Sequence, residues 1–228
     1  MTVIDRPALA ATLQQGSDAL GLALHATTIE RLIDYLALLS KWNAVYNLTA
    51  VRDPRQMVVQ HVLDSLAVWP AFKGANYCLD VGAGGGLPGL VLAICAQQYQ
   101  PEMTIDLVDT VHKKTAFLTQ VKAELSLTKV TVHTARVEQL QLGPRFDVIT
   151  SRAFAELADF VAWSAHLLAD RGTFIAMKGQ DPRDEIARLP VGWDVTEIRA
   201  LDVPGMQADR HLVFIRRHLE QRKEDCAI

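Results

Sequence analysis

A glycine-rich segment that directly follows a short apolar run is the feature that most constrains how this chain folds. Residues 77–81 form the apolar run, which predicts a buried strand, and Gly82, Gly84 and Gly86 come immediately after it. Apolar residues then recur at helical spacing over residues 87–94. A strand, a glycine turn and a helix N-terminus together bring free backbone N–H groups close to a ligand, although a plain tight connection has the same pattern.

The spacing of the glycines indicates which ligand this turn would bind. The dinucleotide fingerprint is G-x-G-x-x-G, and its third glycine falls on Leu87 here. The chain has G-x-G-x-G instead, with Asp80 two residues before the first glycine, which resembles the first motif of class I S-adenosylmethionine (SAM) methyltransferases. SAM carries an ammonium group rather than a pyrophosphate, so an acidic residue at the strand end suits it. We therefore expect Asp80, Gly82, Gly84 and Gly86 to contact SAM.

Length and composition predict a cytoplasmic globular protein with enough apolar material for one full core. The chain has 228 residues, of which 50% are hydrophobic and 21% charged. No apolar run approaches the ~20 residues that cross a bilayer, and the first residues lack the apolar segment of a signal peptide. Cys78, Cys95 and Cys226 show neither disulfide nor zinc spacing. A formal net charge of −3 argues against general nucleic-acid coating but allows a local basic patch.

The N-terminal part of the chain predicts helices. Residues 27–30 read as a capping box, and an apolar stripe at helical spacing follows them. We expect residues 43–52 to be irregular. Asp53, followed by proline, then predicts the start of a helix that stops before Pro70.

From residue 77 onward the chain alternates between strand and helix patterns, which favours a mostly parallel sheet with helices on both faces. The last two strands are joined by a loop without a helix, so we expect them to be antiparallel. This layout is that of the α/β, Rossmann-like class I SAM methyltransferase fold, with the usual strand order 3-2-1-4-5-7-6. We predict a helical extension (1–70), a methyltransferase domain (71–219) and a C-terminal tail (220–228). The predicted strands are Tyr77–Val81, Thr104–Asp109, Val130–His133, Phe146–Ser151, Thr173–Lys178, Trp193–Ile198 and Leu212–Arg216.

Ligands of such sheets lie beyond the carboxyl ends of the strands. The second predicted strand ends at Asp109, whose carboxylate suits both ribose hydroxyls of SAM, although it could simply cap the next helix. Residues 135–138 follow the third strand, where methyltransferases of this fold usually contact adenine. Glu138 in that turn is a candidate for the adenine amine or else an exposed surface charge.

The end of the fourth strand, residues 150–154, carries most information about the reaction. It lacks the Asn/Asp-Pro-Pro-aromatic turn of many amine methylases, and it has no cysteine nucleophile. An acceptor with a free lone pair and no proton, such as guanine N7, needs neither. Arg152 and Lys178 lie at strand ends where a cation can hold guanine O6, so both are candidate catalytic residues. The alternative for Arg152 is a structural ion pair with Asp147 or Glu156.

Over about residues 36–215 the chain resembles the RsmG (glucose-inhibited division protein B) family of bacterial 16S rRNA methyltransferases. The motifs that carry this resemblance are Lys41-Trp42-Asn43 with Tyr46-Asn47-Leu48-Thr49, His61 with Leu63-Asp64-Ser65, Asp80-Val81-Gly82 with Gly86-Leu87-Pro88-Gly89, Asp109 with Lys113-Lys114 and Phe117-Leu118, Arg136-Val137-Glu138, Ser151-Arg152-Ala153-Phe154, Lys178-Gly179-Gln180 and Arg210-His211-Leu212-Val213.

This resemblance implies SAM-dependent methylation of N7 of one guanine in the 530 loop of 16S rRNA, within the 30S subunit. We expect the enzyme to be cytoplasmic and monomeric. It implies SAM contacts at Gly82, Leu87, Val137, Glu138 and Arg152. The motifs at residues 46–49 and 61–65 would form a lid or wall over the methyl donor, or else a packed polar junction. Each of the following basic residues could contact RNA or could simply be a solvent-exposed surface charge. The candidate RNA contacts are Lys41, Arg52, Arg55, Lys113, Lys114, Arg136, Arg183, Arg210, Arg216 and Arg217.

Three other functions remain open from the sequence. The first is a SAM methyltransferase whose acceptor is a protein or a small molecule. A salt-dependent affinity for RNA would distinguish an rRNA methyltransferase from it, because phosphate contacts release counterions. The second is an NAD-dependent oxidoreductase, which the missing third glycine disfavours. The third is a SAM-binding RNA module without activity, which SAM would stabilise against heat without methyl transfer.

Overall fold

A single seven-stranded sheet organises the protein, for which a computed structural model describes residues 5–142 and 146–218. The strand order is β3-β2-β1-β4-β5-β7-β6, and β7 runs antiparallel to both of its neighbours. This confirms the predicted fold class and strand order; the predicted tail, 220–228, lies outside the described residues. The strands are β1 (Tyr77–Val81), β2 (Thr104–Asp109), β3 (Val130–Thr134), β4 (Phe146–Arg152), β5 (Leu168–Lys178), β6 (Trp193–Ala200) and β7 (His211–Arg217).

Helices cover both faces of the sheet and precede it in the chain. A π-helical segment, Val58–Leu63, joins α3 to α4, and a 3-10 turn, Trp69–Phe72, follows them. None of the helices within the described ranges is long and apolar enough to span a membrane. The helices are α1 (Arg6–Ala19), α2 (Ala26–Tyr46), α3 (Pro54–Met57), α4 (Asp64–Leu66), α5 (Gly89–Tyr99), α6 (His112–Glu124), α7 (Leu157–Ser164) and α8 (Arg183–Ile186).

The predicted capping box is wrong. Helix α2 begins at Ala26, with His25 as the N-cap residue, and its first turn has no side-chain cap. The Thr28 hydroxyl instead donates to the side-chain oxygen of Gln98, at 2.8 Å. The His25 N–H donates to the same Gln98 oxygen, so this contact fixes the helix start ahead of Thr27, the residue that the box would make the N-cap. The Glu30 carboxylate of the box accepts from Arg6 at 3.0 Å.

The predicted irregular segment is shorter than expected, because α2 continues to Tyr46 and ends at Asn47 in the left-handed conformation (φ 51°). The expected start at Asp53 is confirmed, since its carboxylate accepts from the Arg55 N–H. The prediction that this helix stops before Pro70 is confirmed, because α4 ends at Leu66. Pro70 lies in the first turn of a 3-10 segment, where a missing N–H leaves no bond unmade.

Two apolar cores lie on the two faces of the sheet. One contains the N-terminal helices together with α5 and α6, and the other contains α7 and buried side chains of β1, β2, β4, β5 and β7. Tyr35, Trp69 and Phe72, all from the N-terminal helical region, are fully buried in the first core. Burying a large apolar side chain stabilises a protein by about 1.5–3 kcal/mol, so the burial of these side chains holds the N-terminal helices against the sheet.

A buried hydrogen bond joins these helices to the glycine turn. The Tyr35 hydroxyl donates to the carbonyl oxygen of Gly85 at 2.7 Å, and both residues are buried. A carbonyl in this position has no access to water, so removing the hydroxyl would leave it without a donor.

We expect Tyr35→Phe to lower the free energy of unfolding by about 1–3 kcal/mol, the cost of leaving a buried acceptor unpaired. The matched control is Tyr99→Phe, because the Tyr99 hydroxyl donates to the Ala23 carbonyl at 2.9 Å on the surface. That change should cost less than about 0.5 kcal/mol. Urea unfolding of the three proteins measures both values, and equal losses would contradict the structural role of Tyr35.

Candidate active site

The glycine turn between β1 and α5 has a backbone that only glycine adopts without strain. Gly82, Gly84 and Gly86 have φ values of 72°, 55° and 89°. A Cβ atom at Gly82 would overlap the ring of Phe154, and one at Gly86 would overlap Leu90. The turn is therefore closed on its protein side by large apolar groups.

Asp80 lies behind this turn. Its side chain is 1% exposed, and Oδ2 accepts from the backbone N–H of Gly89 at 2.8 Å. Oδ1 has no hydrogen-bond partner among the described residues, and burial raises the pKa of the carboxyl group to about 7. Asp80 lines neither of the cavities described next, so its shown contact is with the first turn of α5.

Two adjoining cavities of about 300 and 400 Å³ open at the carboxyl ends of the parallel strands. Both volumes lie in the range typical of small-molecule sites. The two cavities share Gly82, Lys114 and Ala153, so they form one continuous cleft. The smaller cavity is also lined by Val81, Val108, Asp109, Thr110, Val111, Ala135, Arg136, Val137, Glu138, Phe154 and Trp163. The larger is also lined by Leu48, Thr49, Asp64, Ala83, Gly84, Gly85, Leu87, Arg152, Met177, Lys178, Gly179 and Arg210.

Asp109 faces the smaller cavity and also ties the surrounding loops together. Its Oδ2 accepts from the Gly84 N–H at 3.0 Å, and its Oδ1 accepts from the Val111 N–H at 2.9 Å. The Lys114 ammonium lies 3.5 Å from Oδ2. Since an ionised carboxylate has about four acceptor positions, Asp109 retains acceptor capacity for a ligand.

Arg152 and Arg210 share one buried carboxylate in the larger cavity. Arg152 Nη1 donates to Asp64 Oδ2 at 3.0 Å and to the Gln60 carbonyl at 3.1 Å. Arg210 Nε donates to Asp64 Oδ1 at 2.9 Å. The Asp64 side chain is 1% exposed, whereas the two arginine side chains are 22% and 23% exposed.

The two structural partners considered for Arg152 from the sequence are wrong. Asp147 accepts from the backbone N–H groups of Asn76 and Tyr77, near the start of β4 and so at the opposite end of that strand from Arg152. Glu156 pairs with Arg188 at 3.2 Å. Sequence reasoning placed Asp64 in a wall motif but missed its ion pairs, which join residues 88 and 146 positions apart.

Lys178 reaches the same cavity from the end of β5. Its ammonium donates to the Ala155 carbonyl at 2.8 Å and to Glu185 Oε2 at 2.7 Å. Glu185 belongs to α8, and it also accepts from the Leu157 N–H. The charge of Lys178 is thus matched within the protein, while its position beside Arg152 agrees with the strand-end prediction.

Leu48 and Thr49, in the segment between α2 and α3, line one side of the larger cavity. Asn43 holds this segment, because its side chain accepts from the Thr49 N–H and donates to the Val51 carbonyl. The Thr49 hydroxyl contacts His61 Nε2 at 2.8 Å. Burial, and then the charge of Arg152, lower the pKa of His61 to about 4, so its imidazole is neutral at pH 7.

The candidate RNA contacts do not lie on one face. Lys114, Arg136 and Arg210 line the cleft. Arg216 and Arg217 lie at the end of the sheet away from the cleft. Because β7 is antiparallel to β5, its last residues lie near the amino ends of the parallel strands. Among the described residues, no group of three or more His, Cys, Asp or Glu side chains could hold a metal ion.

Comparison with known sequences gives a family match over most of the chain. A family model described as "GidB: rRNA small subunit methyltransferase G" matches residues 28–213. A protein named ribosomal RNA small subunit methyltransferase G from Janthinobacterium sp. (strain Marseille) is 65% identical over 217 residues, covering 95% of this chain and 99% of that protein. The protein of the same name from Aromatoleum aromaticum (strain DSM 19018 / LMG 30748 / EbN1) is 51% identical over 209 residues, covering 92% and 99%. These matches confirm the family resemblance read from the motifs.

Comparison with solved structures confirms the methyltransferase fold. The glycopeptide N-methyltransferase MtfA superposes with a TM-score of 0.58 at 14% identity, covering 73% of this chain and 100% of that one. TrmN from Thermus thermophilus gives a TM-score of 0.53 at 15% identity, covering 71% and 53%.

His61 should make the protein less stable in mild acid. Its folded pKa lies near 4, below the ordinary value of 6.5, so unfolding takes up a proton once the pH falls below 6.5. The stability is complete above pH 6.5 and declines as the pH falls toward 4. Between pH 7 and pH 5 the wild type should lose about 2 kcal/mol more than His61→Gln, which cannot titrate.

Urea unfolding at the two pH values measures this difference. His112→Gln, at an exposed position at the start of α6, is the control and should keep the wild-type response. Parallel pH profiles for wild type and His61→Gln would show that His61 is not held neutral by its surroundings.

Proposed function

Because this chain belongs to the GidB family of rRNA small subunit methyltransferase G proteins, we propose that it transfers a methyl group from SAM to N7 of a guanine in 16S rRNA. The proposed target is the guanine of the 530 loop, presented by the 30S subunit or by its RNA. The observation that carries this proposal is the larger cavity, which is lined by the cations Lys114, Arg152, Lys178 and Arg210. Among the described residues that line it, the one acid is Asp64, whose carboxylate is already paired with two arginines.

The residues of the cleft fit SAM as the methyl donor. In the smaller cavity, the Asp109 carboxylate would accept hydrogen bonds from the ribose hydroxyls, while Val137 and Glu138 would contact the adenine. The turn at residues 82–87 would receive the methionine part, because Gly82 to Gly85 and Leu87 line the larger cavity. When bound, SAM supplies an electrophilic methyl group on its sulfonium sulfur. The role proposed for Asp80 is to fix the first turn of α5 beneath that ligand.

The acceptor side of the cleft suits guanine N7 because that atom has a lone pair and no proton to lose. The Asp64 carboxylate is held by two arginines, and His61 lies behind Thr49. Neither group is placed to remove a proton. N–H groups of Arg152 and Lys178 would bind O6 of the guanine and orient N7, so catalysis would come from positioning and electrostatics.

We expect the protein to methylate 30S particles that lack this modification, with the label from SAM recovered as 7-methylguanosine in 16S rRNA. Arg152→Ala should lose methyl transfer, because the acceptor loses an oriented donor. Binding to the particles should weaken as salt rises, since phosphate contacts release counterions. If the wild-type protein binds SAM but transfers no methyl group to the particles, a protein or small-molecule acceptor is favoured instead.

Asp109→Ala should raise the Kd for SAM about tenfold or more, because each hydrogen bond to a charged group is worth about 1.5–3 kcal/mol. Asp106→Ala is the matched control. Asp106 lies on the same strand and contacts His133, away from both cavities. Calorimetric titration gives the two affinities, and thermal unfolding checks that both variants are folded. An unchanged Kd for Asp109→Ala would remove this residue from the ribose site.

A further inference from the structure

The carboxylate of Asp64 joins three segments that are far apart in the sequence. Asp64 begins α4, Arg152 ends β4, and Arg210 immediately precedes β7. Each carboxylate oxygen accepts from a different arginine, at 3.0 Å from Arg152 and 2.9 Å from Arg210. The carboxylate is almost fully buried, so these contacts are shielded from water and salt.

The charges explain why this arrangement can hold two cations side by side. Two guanidinium groups that bind the same carboxylate lie close enough to repel each other, and the negative charge of that carboxylate offsets the repulsion. A buried carboxylate in turn needs charged partners, because burying an unpaired charge is strongly unfavourable. The group of three carries one net positive charge, which faces the larger cavity.

Both arginines keep unused hydrogen-bond donors. Arg152 uses Nη1 for its two contacts, while Arg210 uses Nε for Asp64 and Nη1 for the Asp209 carbonyl. Within the part of the chain that the structure describes, Nε and Nη2 of Arg152 and Nη2 of Arg210 make no hydrogen bond. A guanidinium anchored on one side presents the rest of its planar fork in a fixed direction. Gly179 preserves this space, since a Cβ there would lie 3.3 Å from Arg210 Nη1.

We propose that Asp64 is a positioning residue that holds Arg152 and Arg210 as a fixed pair of donors for the acceptor nucleotide. One guanidinium of the pair would bind a base oxygen, and the other would bind the adjoining phosphate. This inference rests on the proposed function and extends it to the residue that fixes the acceptor geometry. Asp64 itself does not touch the reacting atoms.

The first test is Asp64→Asn in the full chain, assayed with 30S particles that lack the modification. We expect KM for the particles to rise about tenfold or more, the loss expected for one charge-assisted hydrogen bond, and kcat to fall. The Kd for SAM should stay within about twofold, because Asp64 lies on the acceptor side of the cleft. Asp147→Asn is the control, since its carboxylate accepts two N–H groups near the start of β4, at the opposite end of the strand from Arg152.

A second pair of variants decides the matter even if Asp64→Asn fails to fold. Arg210 is partly exposed, so Arg210→Lys and Arg210→Gln should both fold. If orientation by Asp64 is what counts, lysine should restore little of the activity lost in glutamine, because it keeps the charge but not the planar fork. Restoration by lysine would overturn the inference.

The outcomes separate this inference from the proposed function. No methyl transfer by the wild type would contradict the proposed function. Normal wild-type transfer with an unchanged KM in Asp64→Asn would contradict only the positioning role. If the Kd for SAM in Asp64→Asn rises as much as KM for the particles, the positioning role is also contradicted. Asp64 would then act on the cofactor side or on the whole fold.

Discussion

The close approach of side chains to the backbone of the 82–86 turn is the constraint on which the rest of the structure depends. Phe154 closes against Gly82, the Gly84 N–H is held by Asp109, and Tyr35 donates to the Gly85 carbonyl. These contacts come from the end of β4, the end of β2 and helix α2. The turn therefore fixes where three separate parts of the chain meet, and the cleft opens at that meeting point.

The two halves of the cleft differ in how they are built. The smaller cavity is formed by residues at the ends of parallel strands, which the fold places side by side. The larger cavity also needs Leu48, Thr49 and Asp64 from the N-terminal helical region. The sheet thus supplies the proposed cofactor side, whereas the acceptor side depends on how the first 70 residues pack against it. Proteins with the same sheet can accept different substrates because that second contribution varies.

The sequence predicted the sheet well, because strand periodicity and glycine turns are local signals. Strand ends such as Asp109 and Lys178 followed from them. The pairing of Asp64 with Arg152 and Arg210 could not be predicted, since it depends on tertiary packing between residues 88 and 146 positions apart. The capping box at residues 27–30 failed for the same reason, because Gln98 of α5 accepts from the His25 N–H and the Thr28 hydroxyl, and α2 begins before Thr27. A local pattern states what a side chain can do, and packing decides which partner it finds.

The charge of the cleft shows how a slightly acidic chain can present a basic site. The formal net charge is −3, yet Arg152, Arg210, Lys114 and Lys178 all reach the larger cavity. Asp64 compensates Arg152 and Arg210, Asp109 compensates Lys114, and Glu185 compensates Lys178. These ion pairs hold the cations in place, so their remaining N–H groups point in fixed directions. A site of this kind binds through a few oriented donors, so affinity for an RNA acceptor does not require a basic surface over the whole protein.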